Sequence, residues 1–374
     1  MKIVKDQVLL GAREKEAWLE AFRRFCDPER MILMDIETTG FSRAYDSVYL
    51  TGFLYFENGS FYIEQHLASD RNDEPAVVEA YYEKMQDQDV IITFNGDMFD
   101  LPFMENRARV LHVQAPQLKG ESVDLYRRYR PLASAFGWEN CKLKTIERFL
   151  GIDREDTFSG GELIDVFEEY AVSGDEALEK VLLLHNYEDI LNLPRLLRVD
   201  DYADCLRASE VEELSLEKTF ADRIVLRAVL SRPACLSHEG EGAYPKMTSE
   251  VLRFRTEAGS PVMFLTLPLI QGLFYHYLPD PENYFYLPES DSIIHKALAD
   301  TAPGVKKKKA TSKNCRIARE GCFVPAWGTS LGLHAFQGEK KQPVIFLEEQ
   351  ELLHAMEKAE GKERTDLFHQ LFQI

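Results

Sequence analysis

The segment Met31-Ile32-Leu33-Met34-Asp35-Ile36-Glu37-Thr38-Thr39-Gly40 sets two carboxylates one residue apart at the end of an apolar run. Four apolar residues in a row predict a buried strand. Residues i and i+2 of a strand share a face, so Asp35 and Glu37 stand side by side. Two adjacent anions repel unless a proton or a cation lies between them. Hard oxygen ligands on a rigid strand end suit Mg²⁺ or Mn²⁺. The plainer alternative is a solvent-facing acidic strand end before a turn.

Two further segments carry residues of the same kind. Val90-Ile91-Ile92-Thr93-Phe94-Asn95-Gly96 predicts a second apolar strand, followed by Asp97-Met98-Phe99-Asp100-Leu101-Pro102-Phe103. Pro102 suits the first turn of a helix, and Asp100 could simply cap it. His185-Asn186-Tyr187-Glu188-Asp189 lies in a long helical pattern. His185 and Asp189, at i and i+4, share a helix face, as an ordinary surface pair would.

Taken together, Asp-x-Glu-Thr-x-Gly, then Asn-Gly-x-x-Phe-Asp-x-Pro-Phe, then a helical Asp about 90 residues later resemble the DEDD 3′–5′ exonucleases of the ribonuclease-H-like superfamily. The likeness is nearest to the YprB-type branch, with kinship to the proofreading domain of family B polymerases, and spans roughly residues 28–198. It implies that Asp35, Glu37, Asp100 and Asp189 are the catalytic metal ligands. It also implies two divalent ions, Mg²⁺ or Mn²⁺, acting on a phosphodiester: one lowers the pKa of the attacking water, the other stabilises the leaving oxygen. Asp35 is the candidate bridging ligand. One subgroup of the superfamily has Tyr four residues before the last Asp, and another has His five before it. Here His185 stands four before and Leu184 five before. An imidazole in the site could hold or deprotonate a water; otherwise His185 is structural. The resemblance implies 3′–5′ action on single-stranded DNA or RNA ends. A catalytically silent module that binds nucleic acid or protein, and a structure-selective endonuclease, remain as alternatives.

These acids need a scaffold. The predicted elements are a helix over 12–26, strands over 31–37, 48–56 and 60–67, a helix over 74–86, a strand over 89–94, and helices over 101–112, 142–150, 161–172 and 175–198. Glu57-Asn58-Gly59 is a hairpin turn signal. This order predicts an α/β fold, a ribonuclease-H-like mixed sheet flanked by helices, over residues 1–200. A smaller α+β accessory domain would follow over 201–374. Asp124 is a fifth carboxylate with an expected structural or substrate-adjacent role. Around the acids, the backbone N–H groups of Thr38 and Thr39, together with Asn95 and Phe99, could meet a terminal nucleotide. Phe99 serves equally as core packing. Lys142 and Lys144 could contact phosphates or form a solvated helix face.

The second half shows no motif for chemistry. Helical patterns run to about 231. Residues 251–256 and 262–267 predict paired strands, 273–279 and 284–288 a further hairpin, 291–299 a helix, and 343–347 a strand feeding a helix over 348–360. Residues 304–319 hold seven basic side chains (Lys306, Lys307, Lys308, Lys309, Lys313, Arg316, Arg319) and no acid. Beside an aromatic-rich sheet this stretch could guide a single strand, although charge runs usually form solvated loops.

Composition bounds these readings. The chain has 374 residues and a net charge of −19, of which residues 1–200 carry −15. So acidic a charge argues against a protein that grips long duplexes by bulk electrostatics. About 175 residues after the exonuclease-like part, with no second acidic motif of polymerase type, argue against a full polymerase. No apolar stretch approaches the roughly 20 residues of a membrane span. Lys2-Ile3-Val4-Lys5-Asp6 offers no signal-peptide core. Six scattered cysteines without a Cys-x-x-Cys pair fit reduced thiols in a cytoplasm. Cys235 with His238, or Cys315 with Cys322, could form half a zinc site, with no evident second half.

Overall fold

A computed structural model describes residues 1–133, 136–243, 251–301, 303–328, 332–338 and 344–372. The chain divides into two compact units. Residues 1–133 and 139–200 form the first, and residues 134–138 and 201–374 the second.

The first unit is built on a six-stranded sheet. Its elements are β1 (Lys2–Gln7), α1 (Ala12–Arg23), β2 (Met31–Thr38), β3 (Val48–Glu57), β4 (Ser60–Leu67), α2 (Glu74–Met85), β5 (Val90–Thr93), α3 (Asp100–Leu111), β6 (Glu121–Asp124), α4 (Leu125–Tyr129), α5 (Leu143–Phe149), α6 (Gly160–Ser173) and α7 (Glu176–Leu196). The strand order is β1-β4-β3-β2-β5-β6. β2, β3, β4 and β1 pair antiparallel, while β5 and β6 continue parallel to β2. The expected ribonuclease-H-like order is therefore present. The β3–β4 turn needs positive φ at both central residues, and Asn58 (49°) and Gly59 (78°) supply it.

Burial follows the sequence pattern. Met31 to Met34 are wholly buried because β2 lies inside the sheet with helices over it. Tyr49 of β3 stacks on Phe167 of α6, ring centroids 4.2 Å apart. Val77, Val78, Tyr81 and Met85 bury one side of α2 in the same core. β1 was not expected from the sequence: Lys2, Val4 and Lys5 give it no apolar face, and it exists by pairing with the edge of β4.

α8 (Arg198–Ala208) runs across the division at residue 200. The second unit holds β7 (Val211–Thr219), β8 (Arg223–Leu230), β9 (His238–Ala243), β10 (Val251–Thr256), β11 (Val262–Pro268), β12 (Ile270–Tyr277), β13 (Tyr284–Leu287), β14 (Ser292–His295), β15 (Lys308–Lys309), β16 (Arg316–Ala326), β17 (Ile345–Glu348), α9 (Glu349–Lys358) and α10 (Gly361–Leu371). They make one five-stranded sheet, β7-β8-β11-β10-β9, and two three-stranded sheets, β12-β16-β17 and β14-β13-β15.

Several expectations for this half are corrected. The helix expected up to residue 231 is instead the β7–β8 pair, with Ile224, Leu226, Ala228 and Leu230 alternating inward. The 273–288 hairpin does not form, because β12 pairs with β16 and β13 with β14 and β15. The helix expected over 291–299 is β14 followed by a 3₁₀ turn at Lys296–Thr301. The β10–β11 pair and the strand feeding α9 are present. No described helix is long and apolar enough to cross a membrane.

Candidate active site

β2 turns Asp35 and Glu37 toward α7. The strand facing Asp35 supplies Gly52 of β3. A Cβ at Gly52 would lie 2.1 Å from both Asn186 Oδ1 and Ile190 Cδ1. Only a glycine lets α7 come this close to the sheet. Asn186 then reaches down and donates to Asp35 Oδ2 at 3.0 Å. Its own Oδ1 accepts from Gln65 Nε2 of β4 at 2.9 Å, and the same Gln65 nitrogen bonds the Leu183 carbonyl. Gln65 and Asn186 are both almost fully buried. Together they fix the orientation of the Asp35 carboxylate.

Asp100 begins α3, but it does not act as the expected helix cap. Its Oδ1 accepts from the backbone N–H of Ile36 at 3.2 Å, which ties α3 to the strand between the two first acids. Asp100 is only 4% exposed. Burial pushes its carboxyl up to about 7, against the bonds from backbone N–H groups. Burial also raises Asp35 and Glu37 well above the ordinary carboxylate range. Glu37, Asp189 and Asp100 add repulsion at Asp35, and Asp189, Asp100 and Asp156 add it at Glu37. The electrostatic strain of the first unit is thus concentrated at one point.

α7 brings His185 and Asp189 to that point. His185 Nε2 lies 3.6 Å from Glu37 Oε1 and 3.7 Å from Asp189 Oδ2. Glu37, His185 and Asp189 each offer a ligand atom, all within 4.8 Å of one another. Among the described residues, no cysteine enters such a group of three. None of the six cysteines is in a disulfide, and His238 Nε2 bonds the Phe136 carbonyl.

Four residues at this site carried no signal that we read in the sequence. Asp156 holds His185 Nδ1 at 2.8 Å, with both side chains buried. Burial alone would raise Asp156, but His185 and Lys144 hold it below its ordinary value. Arg154 lies among Glu147 (3.0 Å), Asp156 (3.4 Å), Glu188 (3.5 Å) and Asp189 (2.5 Å). Its Nη2 forms a close ion pair with Asp189 Oδ1. Glu147 and Glu188 complete the support: Glu147 also accepts from Asn192, and Glu188 accepts from the N–H groups of residues 155 and 156. The polar run Asp153-Arg154-Glu155-Asp156 just after Gly151 was the available clue.

The proposed substrate residues are placed unevenly. The Thr38 hydroxyl donates to the Gly40 carbonyl at 2.7 Å. The Thr39 N–H is taken by the Ser47 carbonyl at 2.9 Å and is not offered outward. Asn95 adopts φ 67°, its N–H donates to Asp124 at 2.8 Å, and its carbonyl accepts from Met98 and Phe99. Asp124 also accepts from the N–H groups of Asp97, Tyr126 and Arg127 and caps α4, a structural role. Phe99 packs between Phe103 and Phe41, and Phe41 is 88% exposed. Lys144 Nζ is engaged by Asp156 and the Phe158 carbonyl. It belongs to the Asp156 support and is only partly open.

The donor set fits divalent cations. It is hard oxygen with one imidazole, and Asp35, Glu37 and Asp100 crowd buried carboxylates whose ionised forms burial and mutual repulsion disfavour.

Residues 32–199 match the model of the RNase H superfamily. Among solved structures, the chain is similar to a family B DNA polymerase from the archaeon Pyrobaculum calidifontis, at 19% identity and a TM-score of 0.39 over 49% of this chain and 25% of that one. It is also similar to E. coli exonuclease I in a zinc-bound complex with single-stranded DNA, at 13% identity and a TM-score of 0.29 over 53% of this chain and 54% of that one. The chain thus spans a quarter of the polymerase and about half of exonuclease I.

Proposed function

With residues 32–199 an RNase H superfamily domain, we propose that this chain is a divalent-metal-dependent nuclease, a 3′–5′ exonuclease on single-stranded DNA or RNA ends. What carries the reading is the convergence of Asp35 and Glu37 from β2, Asp100 from α3 and Asp189 from α7, beside His185. In this proposal those four carboxylates hold two ions, Mg²⁺ or Mn²⁺. When bound, such ions supply Lewis-acid activation of water and neutralise charge at the scissile phosphate.

The remaining steps belong to the chain's own residues. Gln65 and Asn186 hold Asp35 in one orientation, which keeps its other oxygen available as a ligand. The Ile36 N–H does the same for Asp100. In this proposal His185 gives its Nδ1 proton to the bond with Asp156 and turns Nε2 toward Glu37 and Asp189 as the acceptor. That atom takes the proton of the attacking water. The i, i+4 spacing on α7 serves because the anchor of His185 is Asp156, outside the helix.

The test is cleavage of 5′-labelled single strands of DNA and RNA with Mn²⁺, Mg²⁺ or EDTA, beside Asp35→Asn. A metal-dependent ladder shortening from the 3′ end, lost in the variant, is expected. Internal cuts would make the protein an endonuclease, and an undiminished rate in the variant would remove the active-site assignment.

A second reading has one observation behind it. Arg154 already sets a cation 2.5 Å from Asp189, as a silent binding module that balances its acids internally would do. Titration with Mn²⁺ separates the two, since a silent module takes up no ion at Asp35.

A further inference from the structure

We infer that the second unit carries a single-stranded nucleic-acid binding surface of its own, made by tyrosines of β12 and β13 and the lysines of β15. The inference extends the nuclease reading, but it rests on different residues and its test uses no catalysis.

The first observation is the small sheet β14-β13-β15. Its central strand places Tyr284, Phe285 and Tyr286 in succession, so the rings alternate between its two faces. None of the three is buried. A strand of such composition normally covers at least one face with core. Here both faces keep access to solvent, as a site that receives flat rings would need.

The second observation is where the cations stand. Lys308 pairs directly with Tyr286, and Lys309 with Phe285. Paired residues across a ladder have Cβ atoms about 5 Å apart. Lys308 and Lys309, both exposed, therefore leave the ladder on the same faces as Tyr286 and Phe285, and Lys296 Nζ lies 5.6 Å from the Phe285 centroid. The spacing matches a nucleotide, whose base stacks while its phosphate takes the charge.

The third observation joins this sheet to its neighbour. Arg316 of β16 lies 3.8 Å from the Tyr275 ring centroid and 3.0 Å from Asp291 Oδ2. Asp291 Oδ1 accepts from the Tyr286 hydroxyl at 2.8 Å. Tyr275, Arg316, Asp291 and Tyr286 thus form one braced row across β12, β16 and β13. Rings held in this way lose little freedom when a base arrives.

Charge complementarity selects the occupant. Residues 304–319 carry seven basic side chains and no acid in a chain of net charge −19; Arg316 and Arg319 face Asp291 and Glu348, and the five lysines supply the remaining positive charge. The partner is therefore anionic. The accessible rings select a single strand over a duplex, because paired bases keep their faces stacked away. An acidic peptide would use the lysines and leave the rings idle.

The experiment uses the full chain in EDTA, so that nothing is cut. Fluorescein-labelled dT20 and U20 are titrated by anisotropy at several salt concentrations, with duplex DNA and poly-glutamate as competitors. The variants are Lys308→Glu with Lys309→Glu, Tyr286→Ala, and the conservative Tyr286→Phe, each checked for an unchanged melting temperature. We expect the double charge reversal to weaken binding at least tenfold and to flatten the salt slope by about 1.4, two phosphates at about 0.7 each. Tyr286→Ala should weaken binding about tenfold, and Tyr286→Phe should restore most of it. No binding by the native chain, equal binding by all variants, or displacement by poly-glutamate or duplex as readily as by dT20 would overturn the inference. A strand that is bound here but never cut with Mn²⁺ would remove the nuclease reading and leave this one standing. A strand that is cut while these variants bind normally would do the reverse.

Discussion

The acidic cluster around Asp35 and the basic, tyrosine-rich surface around Lys308 solve opposite problems with charge. In the first, like charges point inward, and burial, then mutual repulsion, raises Asp35, Glu37 and Asp100 above the ordinary carboxylate range. In the second, Lys308 and Lys309 point outward, where water already solvates them. Buried like charge stores free energy that a bound cation releases. Exposed charge stores little and contributes through phosphate contact and counterion release. The acidic site should therefore respond to single substitutions with large, all-or-none effects, and the basic surface with graded ones.

The largest expected effect is on turnover at Asp35. Asp35→Asn removes the proposed ligand that Asn186 orients. A metal's charge stabilisation is worth several kcal/mol, so the rate should fall by about 10³-fold or more. The metal-free variant should keep its fold, because a buried carboxylate repelled by Glu37, Asp189 and Asp100 is made neutral. Rate and urea denaturation measured on one preparation check both halves. A variant that loses activity only by unfolding would break the comparison.

Next comes Arg154. Its side chain is 8% exposed among Glu147, Asp156, Glu188 and Asp189. Burial works against its charge, yet Asp189 and Glu147 hold its pKa above the ordinary value. Arg154→Ala leaves buried carboxylates unbalanced and should cost about 3–5 kcal/mol in urea denaturation. Added Mn²⁺ should recover part of this loss if Asp189 is a metal ligand. A loss below about 1 kcal/mol would mean that water reaches these acids freely.

The contrast also governs what could be read from the sequence. The acidic strand end was legible because one strand carries both Asp35 and Glu37 at a spacing of two. Asp100, His185 and Asp189 came only with the resemblance to the DEDD exonucleases, through the order of its motifs along the chain. Asp156 was not legible, because its relation to His185 spans 29 residues and depends on how one loop turns back onto α7. Gly52 gave no sign, because its role is the space it leaves for Asn186. In the second half, β7 lost its period of two to register shifts at Val211/Glu213 and Leu216/Lys218, so its glutamates and lysines imitated a helix. β12 and β13 look like a hairpin, but the partner of β12 begins 39 residues after its end, at Arg316. Local pattern reveals a residue's face; it does not reveal a distant partner.

Asp156 gives the third expectation. Asp156→Asn keeps the shape but can no longer accept the Nδ1 proton of His185 as an anion. Such outer partners are typically worth 10–100-fold in activity, and a loss of that size in kcat with little change in KM is expected. Because Lys144 and Arg154 also touch Asp156, a melting curve must accompany the kinetics. An unchanged kcat would assign His185 a structural role.

The smallest effect is a slope with pH, and its sign follows from Asp100. In the unfolded chain its carboxyl titrates near 4, and in the folded metal-free protein it titrates at about 7. Between those values the folded state holds the proton more tightly. The contribution to stability is therefore complete below about pH 4 and is lost as pH rises toward 7. One proton sets a limit of about 1.4 kcal/mol per pH unit on that slope. Asp100→Asn, neutral throughout, should flatten the curve in EDTA, with Asp35 and Glu37 keeping part of the slope because they are raised in the same direction. Mn²⁺ should abolish the slope in the native chain, since bound cations favour the ionised carboxylates that burial disfavours. Stability that rises from pH 4 to 7 in EDTA would show that these acids are already balanced from within, and Arg154 would then be the cation that the site was built around.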